Sequence, residues 1–261
     1  MNLSHFWSFI IFHILLIHFS HGRTKSHYYR NKRLKSSSSS SADNNFDVLI
    51  FTQHWPQSVC FEWKEKSQKH NCTMPANDEW TIHGIWPTQF HKIGPEFCNK
   101  SMNFDLSALA SIEDELKLKW MDIEFGMKPG SFWKHEWDKH GTCAAIIEKL
   151  NTEQKYFQMG LNLLDKYDMK NILAKVNIIP GNSYPVKIIL DGIKKILNIN
   201  AQIMCVKNPK THESYIFEIR ICFDKQLELT NCDGIVNFPT DCNHKQNVIY
   251  TGIVPHEVLR I

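Results

Sequence analysis

Apolar positions recur along residues 46–261 in the two periods that distinguish helices from strands. Spacings of three and four residues predict helices over residues 106–120, 156–167 and 186–197. Runs rich in β-branched and aromatic residues predict strands at residues 47–55 and 80–83. Residues 215–223 alternate, with every odd position apolar, which predicts a strand with one fully apolar face. Together these patterns indicate an α+β fold.

The N-terminal part of the chain has a different pattern. Residues 6–19 are almost wholly apolar and precede small residues, which predicts a secretory signal peptide over residues 1–22. A membrane anchor is the alternative, because no basic residue precedes the run and His13 and His18 interrupt it. Residues 23–45 are basic and then serine-rich, which predicts a disordered extension, with a processing or targeting role as the alternative.

Residues 46–261 are predicted to form one domain, because no internal repeat or linker interrupts them. No second apolar stretch of spanning length follows the signal, so stable membrane insertion after signal cleavage is not expected. The formal charge of +3 comes from the extension, since the chain beyond residue 45 has 24 basic and 26 acidic residues. A domain with that balance does not bind nucleic acid through charge alone, so any such activity rests on a local site.

Eight cysteines form an even set within the predicted domain, which is typical of a chain that folds where disulfides persist. Four bridges leave roughly a hundred pairings open. A zinc site is a weaker alternative, because no two cysteines are separated by two residues. Sequons at Asn71 and Asn99 predict N-glycosylation if the chain enters the secretory pathway.

Two histidine-bearing segments carry the candidate chemistry. Residues 80–87 (Trp-Thr-Ile-His-Gly-Ile-Trp-Pro) place His83 at a strand end, before a glycine and an aromatic-proline turn that exposes the imidazole. In residues 132–143 (Phe-Trp-Lys-His-Glu-Trp-Asp-Lys-His-Gly-Thr-Cys), helical geometry places four ionisable residues within an arc of about 140°. These four are His135, Glu136, Lys139 and His140. Gly141 is then predicted to end the helix.

This set of side chains suits the cleavage of RNA without a metal, in which the 2′-hydroxyl attacks the neighbouring phosphate. That reaction needs a base, an acid and cations around the phosphorus, and histidine supplies both base and acid near neutral pH. Lys139 and a protonated His135 are predicted to hold the phosphate charge. A bell-shaped pH dependence follows, because one imidazole must be neutral while the other is charged. A lone histidine or tryptophan is more often structural, so the prediction depends on their co-occurrence.

The two segments resemble the active-site segments of the ribonuclease T2 family. In addition, Gln53, His54, Trp55 and Pro56 resemble the opening strand of its animal members. The resemblance covers about residues 46–242. It implies a single, disulfide-bridged α+β domain with a central antiparallel sheet flanked by helices.

The resemblance also implies a role for each matched residue. His140 is expected to act as general base toward the 2′-hydroxyl, and His83 as general acid toward the leaving oxygen. His135 is expected to bind phosphate, and Glu136 and Lys139 to stabilise the pentacoordinate state. Products would be 2′,3′-cyclic phosphates and then 3′-phosphates, formed without a metal or other cofactor. The candidate substrate-binding residues are Trp86, His54 and Trp133.

The disulfide pairing of the family would join Cys60 to Cys72, Cys98 to Cys143, Cys205 to Cys242, and Cys222 to Cys232. A secreted enzyme of this kind is expected to act on RNA as a monomer outside the cell or in endosomes and lysosomes. One position departs from the family pattern, because Thr88 stands where many members have an aspartate that contacts the base. Trp86 can still stack on a base, so weak base selectivity is expected.

Two other enzyme classes are less consistent with the residues. A zinc protease helix has histidines four residues apart, whereas His135 and His140 are five apart and diverge by about 140° on an α-helix. A serine hydrolase lacks support because no Gly-x-Ser-x-Gly motif occurs. A different alternative is a secreted glycoprotein that acts mainly by binding a cell-surface partner, such as a glycan-recognising receptor. The intact set of matched catalytic residues argues against loss of catalysis.

Overall fold

The computed structural model describes residues 45–67 and 69–252. The predicted signal peptide and the predicted extension up to residue 44 lie outside the described residues. The strands are β1 (Val48–His54), β2 (Thr81–Thr88), β3 (Asn182–Tyr184), β4 (Gln202–Lys207), β5 (Ser214–Phe223), β6 (Leu229–Thr230) and β7 (Val248–Tyr250). The α-helices are α1 (Pro56–Lys66), α2 (Glu113–Lys119), α3 (Ser131–Glu136), α4 (Thr142–Ala144), α5 (Glu153–Tyr167), α6 (Met169–Ala174) and α7 (Val186–Leu197).

These strands form one sheet, with β5 at its centre. β5 pairs antiparallel with β1, β4 and β6, and β1 pairs in turn with β2. Ser214 and Tyr215 of β5 also pair with β7, and this pairing is parallel. The α+β class is thus confirmed, but the sheet is mixed and not wholly antiparallel. The reason is that β6 reverses the chain and residues 231–247 return it to the start of β5, where β7 runs in the same direction.

The predicted strands are present, but one of them is longer than its pattern indicated. β1 and β5 lie where residues 47–55 and 215–223 predicted them. All seven residues of β1 are buried, consistent with its position between β2 and β5. The strand predicted at residues 80–83 continues through Trp86 and Pro87 to Thr88. The predicted aromatic-proline turn is therefore part of a strand.

Helix α7 has the predicted bounds, and it ends at Asn198, whose left-handed backbone conformation closes the last turn. Helix α5 starts three residues before the prediction, because the Thr152 side chain caps it by accepting a hydrogen bond from the Lys155 amide. The helix predicted over residues 106–120 is interrupted. A 3₁₀ turn over Leu106–Leu109 is separated from α2 at Ile112, whose ψ of 2° is not helical.

The helices and the sheet enclose one main core in which aromatic side chains are prominent. Its buried tryptophans are Trp55, Trp80, Trp120, Trp133 and Trp137. Four disulfides join the pairs that the resemblance implies: Cys60–Cys72, Cys98–Cys143, Cys205–Cys242 and Cys222–Cys232. Within residues 45–67 and 69–252, no helix has the length and apolar character needed to cross a bilayer.

Candidate active site

His83 lies in a β-bulge of β2. The register between β1 and β2 shifts at Thr52 and Gln53, so His83 is the extra residue without a partner in the ladder. A bulge redirects a side chain and leaves the extra residue unpaired. Trp120 supplies the missing partner, because its Nε1 donates a hydrogen bond to the His83 carbonyl at 2.9 Å. The imidazole is thus presented by a bulge inside a continuous strand, which corrects the predicted strand end and turn.

Core side chains hold this bulge in place. The Tyr156 hydroxyl donates to the Ile85 carbonyl at 2.9 Å, and Trp133 Nε1 donates to the Trp120 carbonyl at 2.7 Å. Trp133 is 7% exposed and packs in the core. The prediction that Trp133 binds substrate is therefore corrected, because its indole N–H is used inside the protein. It positions Trp120 and, through Trp120, His83.

The second segment is a continuous helical stretch whose middle turn, Trp137–Gly141, is π-helical. A π turn closes its hydrogen bonds five residues apart, and such turns are frequent at functional sites. Gly141 does not end the helix as predicted, since its φ of −59° and ψ of −43° are helical. An added Cβ there would lie 2.3 Å from the Trp137 ring. The predicted separation of about 140° between His135 and His140 assumes a regular α-helix, so it does not apply across this π turn.

Both segments line one cavity of about 320 Å³. The predicted catalytic residues in its wall are His83, His135, Glu136, Lys139 and His140. Trp86 and Thr88 of β2 line it as well, together with Met204 of β4 and Arg220 of β5. The predicted clustering of the ionisable side chains is thus observed, although a π turn and not a regular α-helix brings it about.

Trp86 lies next to both candidate acid–base histidines. Its ring centroid is 4.8 Å from that of His83 and 5.3 Å from that of His140. Its Nε1 donates a hydrogen bond to Glu136 Oε2 at 2.9 Å. Gly84 makes this contact possible, because a Cβ at that position would lie 2.1 Å from the Glu136 oxygen and 2.2 Å from the indole nitrogen.

The two histidines have opposite electrostatic surroundings. Burial lowers the pKa of His140 well below its usual value, and the positive charge of Lys139 lowers it further. Burial also opposes a charge on His83. The Glu218 carboxylate outweighs that effect and raises the pKa of His83, since its Oε1 lies 2.5 Å from Nδ1. One cavity therefore holds an imidazole whose surroundings favour the neutral form and an imidazole whose surroundings favour the charged form.

Of the other ionisable residues of the cavity, two have shifted pKa values and one forms an ion pair. Burial raises the pKa of Glu136 to about 7. The Lys139 ammonium lies 3.3 Å from Glu96 Oε1 at the rim. Partial burial and the charge of Lys139 lower the pKa of His135. The predicted protonated form of His135 is therefore disfavoured in the free protein and needs an anion nearby.

His54 lies behind His83 and does not line the cavity. It is 4% exposed, its ring centroid is 5.3 Å from that of His83, and its ring stacks on Phe132. Burial, aided by the charge of His83, lowers the pKa of His54 to about 3, so the ring is neutral. This placement corrects the prediction that His54 binds substrate. It is a packing residue beneath His83.

Known proteins and one family model match most of this chain. The model of the ribonuclease T2 family matches residues 46–232. The chain belongs to the ribonuclease T2 family. Ribonuclease Oy of Magallana gigas is 36% identical over 214 residues, which are 80% of this chain and 98% of that protein. Human ribonuclease T2 is 38% identical over 194 residues, which are 73% of this chain and 72% of that protein.

Solved structures lead to the same family. The crystal structure of human RNase T2 has a TM-score of 0.66 and 32% identity, covering 79% of this chain and 99% of that chain. Ribonuclease MC1 from bitter gourd seeds has a TM-score of 0.66 and 26% identity, covering 78% of this chain and 100% of that chain. The protein is thus an endoribonuclease of the T2 type.

Sequence reasoning about this T2 ribonuclease missed two residues of its active site, Glu218 and Arg220 of β5. Glu218 contacts His83, and the Arg220 guanidinium lies 5.1 Å from the centroid of the Trp86 ring. The sequence offered one indication of these two residues, because they are charged and lie two positions apart on a strand that is otherwise mostly apolar. Across residues 45–67 and 69–252, no three His, Cys, Asp or Glu side chains are arranged to hold a metal ion. Independence from metals remains a prediction.

Proposed function

We propose that this T2 ribonuclease cleaves single-stranded RNA by metal-free acid–base transesterification. His140 takes the proton of the 2′-hydroxyl, whose oxygen attacks phosphorus, while His83 gives a proton to the leaving 5′-oxygen. A 2′,3′-cyclic phosphate results, and water then opens it to a 3′-phosphate. The observation that supports this assignment is that both imidazoles lie next to Trp86 in one cavity, with surroundings that lower the pKa of His140 and raise that of His83.

The other cavity residues have roles that follow from their charge. Lys139 and His135 line the same cavity, where they can bind the phosphate, and a bound phosphate would favour the protonated form of His135. Glu136, with a pKa near 7, is present in both protonation states close to neutrality. Its protonated form can donate a hydrogen bond to a phosphoryl oxygen as negative charge develops there.

Replacement of each histidine tests these roles. His83→Ala and His140→Ala should each lower kcat/KM on RNA by about a hundredfold or more, because acid–base residues contribute about 10² to 10⁴. His140→Ala should also remove the acid limb of the pH profile, and His83→Ala the alkaline limb. The exposed His244→Ala is the control. Either variant with near wild-type activity would refute its assigned role, and a cellular effect that survives both changes would favour a binding function.

Base selectivity is proposed to be weak. The Thr88 hydroxyl donates to the Trp86 carbonyl at 3.1 Å, so its proton is already used. Trp86 remains as a stacking surface, and stacking contributes about 1–3 kcal/mol with little dependence on the base. Cleavage rates of dinucleotides that differ in one base should lie within about a factor of ten. A spread of a thousandfold would contradict this proposal.

We further propose that the protein is a secreted glycoprotein that acts outside the cell or in endosomes and lysosomes. Four disulfides and the exposed side chains of Asn71 and Asn99 support this proposal. The full chain expressed in animal cells should appear in the medium without residues 1–22, and an N-glycosidase should reduce its mass. Thr73→Ala and Ser101→Ala should each remove one glycan. Retention in the cytosol would contradict the proposal.

A further inference from the structure

Glu218, which is buried, and Arg220, which lines the catalytic cavity, form an ion pair in the wall of that cavity. Arg220 Nε and Nη2 donate to Glu218 Oε2 at 2.9 and 2.5 Å, while Glu218 Oε1 faces Nδ1 of His83 at 2.5 Å. Glu218 is 1% exposed. A buried carboxylate of this kind is costly unless its oxygens are paired, and here both oxygens have cationic or N–H partners.

This pair is fixed by its surroundings. Arg220 Nη1 donates to Gln202 Oε1 at 3.0 Å, and Gln202 Nε2 donates to the Val236 carbonyl at 2.8 Å. Both residues of the pair lie in β5, where β1 pairs on one side and β4 on the other. A strand paired on both sides has little freedom to shift. The position of the carboxylate is therefore set by the sheet.

The contact with Glu218 also sets the orientation of the His83 ring. With Nδ1 on the carboxylate, Nε2 faces the cavity, 4.0 Å from Glu136 Oε1. Charged or titratable groups face this ring from every side that packs against it. They are His54 from β1, Glu218 and Arg220 from β5, and His135, Glu136 and His140 from the helical segment. Glu218 has the shortest of the contacts between His83 and a carboxylate.

We propose that Glu218 is a positioning residue for His83, holding Nδ1–H so that Nε2–H is presented to the leaving 5′-oxygen, and that Arg220 keeps Glu218 ionised. The proposal rests on the role of His83 as general acid. When Nε2 gives up its proton, the Nδ1 proton stays on Nδ1 and Glu218 remains a carboxylate. Burial opposes that state of Glu218, but Arg220 and His83 lower the pKa of Glu218 to about 2.

The variant Glu218→Gln tests this proposal, because it keeps the shape of the side chain and removes its charge. The pKa of His83 should then fall, so the alkaline limb of kcat/KM should move to lower pH by about one pH unit or more. The value of kcat at the optimum should fall about tenfold or more. Glu228→Gln, on the exposed turn between β5 and β6, is the matched control. An unmoved alkaline limb in folded Glu218→Gln would overturn the proposal.

Arg220→Met tests the second half of the proposal. Without the guanidinium the pKa of Glu218 should rise, so His83 loses the neighbouring carboxylate charge and the alkaline limb should again move to lower pH. A limb that stays in place, or moves to higher pH as loss of a cation near an ionised Glu218 would cause, would overturn the role of Arg220. If Glu218→Gln alone does not fold, the double variant Glu218→Gln/Arg220→Met leaves no unpaired buried charge. In this double variant the pKa of His83 should be lower than in the wild type. An unchanged pKa of His83 would overturn the proposal.

A measurement on the wild-type protein does not depend on a variant of the ion pair. In ¹⁵N NMR, with His83 assigned by its absence in His83→Gln, the neutral ring should carry its proton on Nδ1 at high pH. A proton on Nε2 would overturn the proposal. This result is separate from the proposed function. If the wild type does not cleave RNA through His83, the catalytic assignment fails while the tautomer still decides whether Glu218 holds the ring.

Discussion

Two chemically identical side chains in one cavity differ because their neighbours differ. His140 is buried next to Lys139, whereas His83 is hydrogen-bonded to the carboxylate of Glu218. The effect of Lys139 and Glu218 is to separate the two pKa values in the directions that a base and an acid require. Activity should therefore rise as pH passes the low pKa of His140 and fall as pH passes the raised pKa of His83.

Lys139→Gln should move the acid limb of kcat/KM to higher pH. Burial is the main cause of the low pKa of His140 and the charge of Lys139 is the next, so its removal raises that pKa. The value of kcat should also fall, because the phosphate loses a cation. Lys134→Gln, an exposed lysine of the same helical segment that pairs with Asp138, is the control. An acid limb that stays in place would show that Lys139 does not set the charge of His140.

Sequence could predict the site residues that lie close together in the chain. His135, Glu136, Lys139 and His140 are within one short segment, so local geometry alone brought them together. Glu218 and Arg220 could not be assigned to the same cavity, because their position depends on the register of β5 against β1 and β4. That register is set by long-range packing, which periodicity does not report.

At the scale of secondary structure, the site depends on two irregular elements, a bulge in β2 and a π turn in the second segment. Periodicity predicted a strand and a helix at these places, and both are present. The irregularities were missed because hydrophobic periodicity reports neither of them. The bulge at His83 is completed by Trp120, which is distant in the chain, and within the π turn the Trp137 ring packs against Gly141.

Gly84→Ala should lower kcat/KM about tenfold or more with a modest loss of stability. The new methyl group would occupy the space of the contact between Trp86 and Glu136, and overpacking of this kind costs about 1–3 kcal/mol. Steady-state kinetics and thermal unfolding measure the two effects. Gly126→Ala is a useful comparison, since an added Cβ there meets no atom within 4 Å and only backbone strain is expected. Unchanged kinetics in Gly84→Ala would argue against a catalytic need for the contact.

At the scale of the whole molecule, the disulfides connect the cavity to the fold. Cys98–Cys143 joins the loop that carries Glu96 to the helical segment that carries Lys139. The class of fold, the bounds of α7 and the positions of β1 and β5 were predictable from hydrophobic periodicity. The parallel contact of β7 was not, because a strand of three residues has too short a pattern to be recognised.

Removal of Cys98–Cys143 by alanine substitution should lower both stability and activity. The bridge spans 45 residues, and in the chain-entropy model it contributes about 4 kcal/mol to the free energy of unfolding. The Cys60–Cys72 bridge spans 12 residues and should contribute about 3 kcal/mol. Denaturant unfolding measures both. Activity should fall only in the first variant, and an equal loss in both would contradict a specific link between this bridge and the cavity.

In the proposed reaction the RNA 2′-hydroxyl is the nucleophile, His140 takes its proton and His83 gives a proton to the leaving 5′-oxygen. The most direct measurement is cleavage, in excess chelator, of two oligonucleotides that differ only in a 2′-hydroxyl or a 2′-hydrogen at one cleavage site. The ribonucleotide substrate should be cut at this site to a 2′,3′-cyclic phosphate, and the deoxy substrate should remain intact there. Cleavage of the deoxy site, or loss of cleavage in chelator, would contradict it.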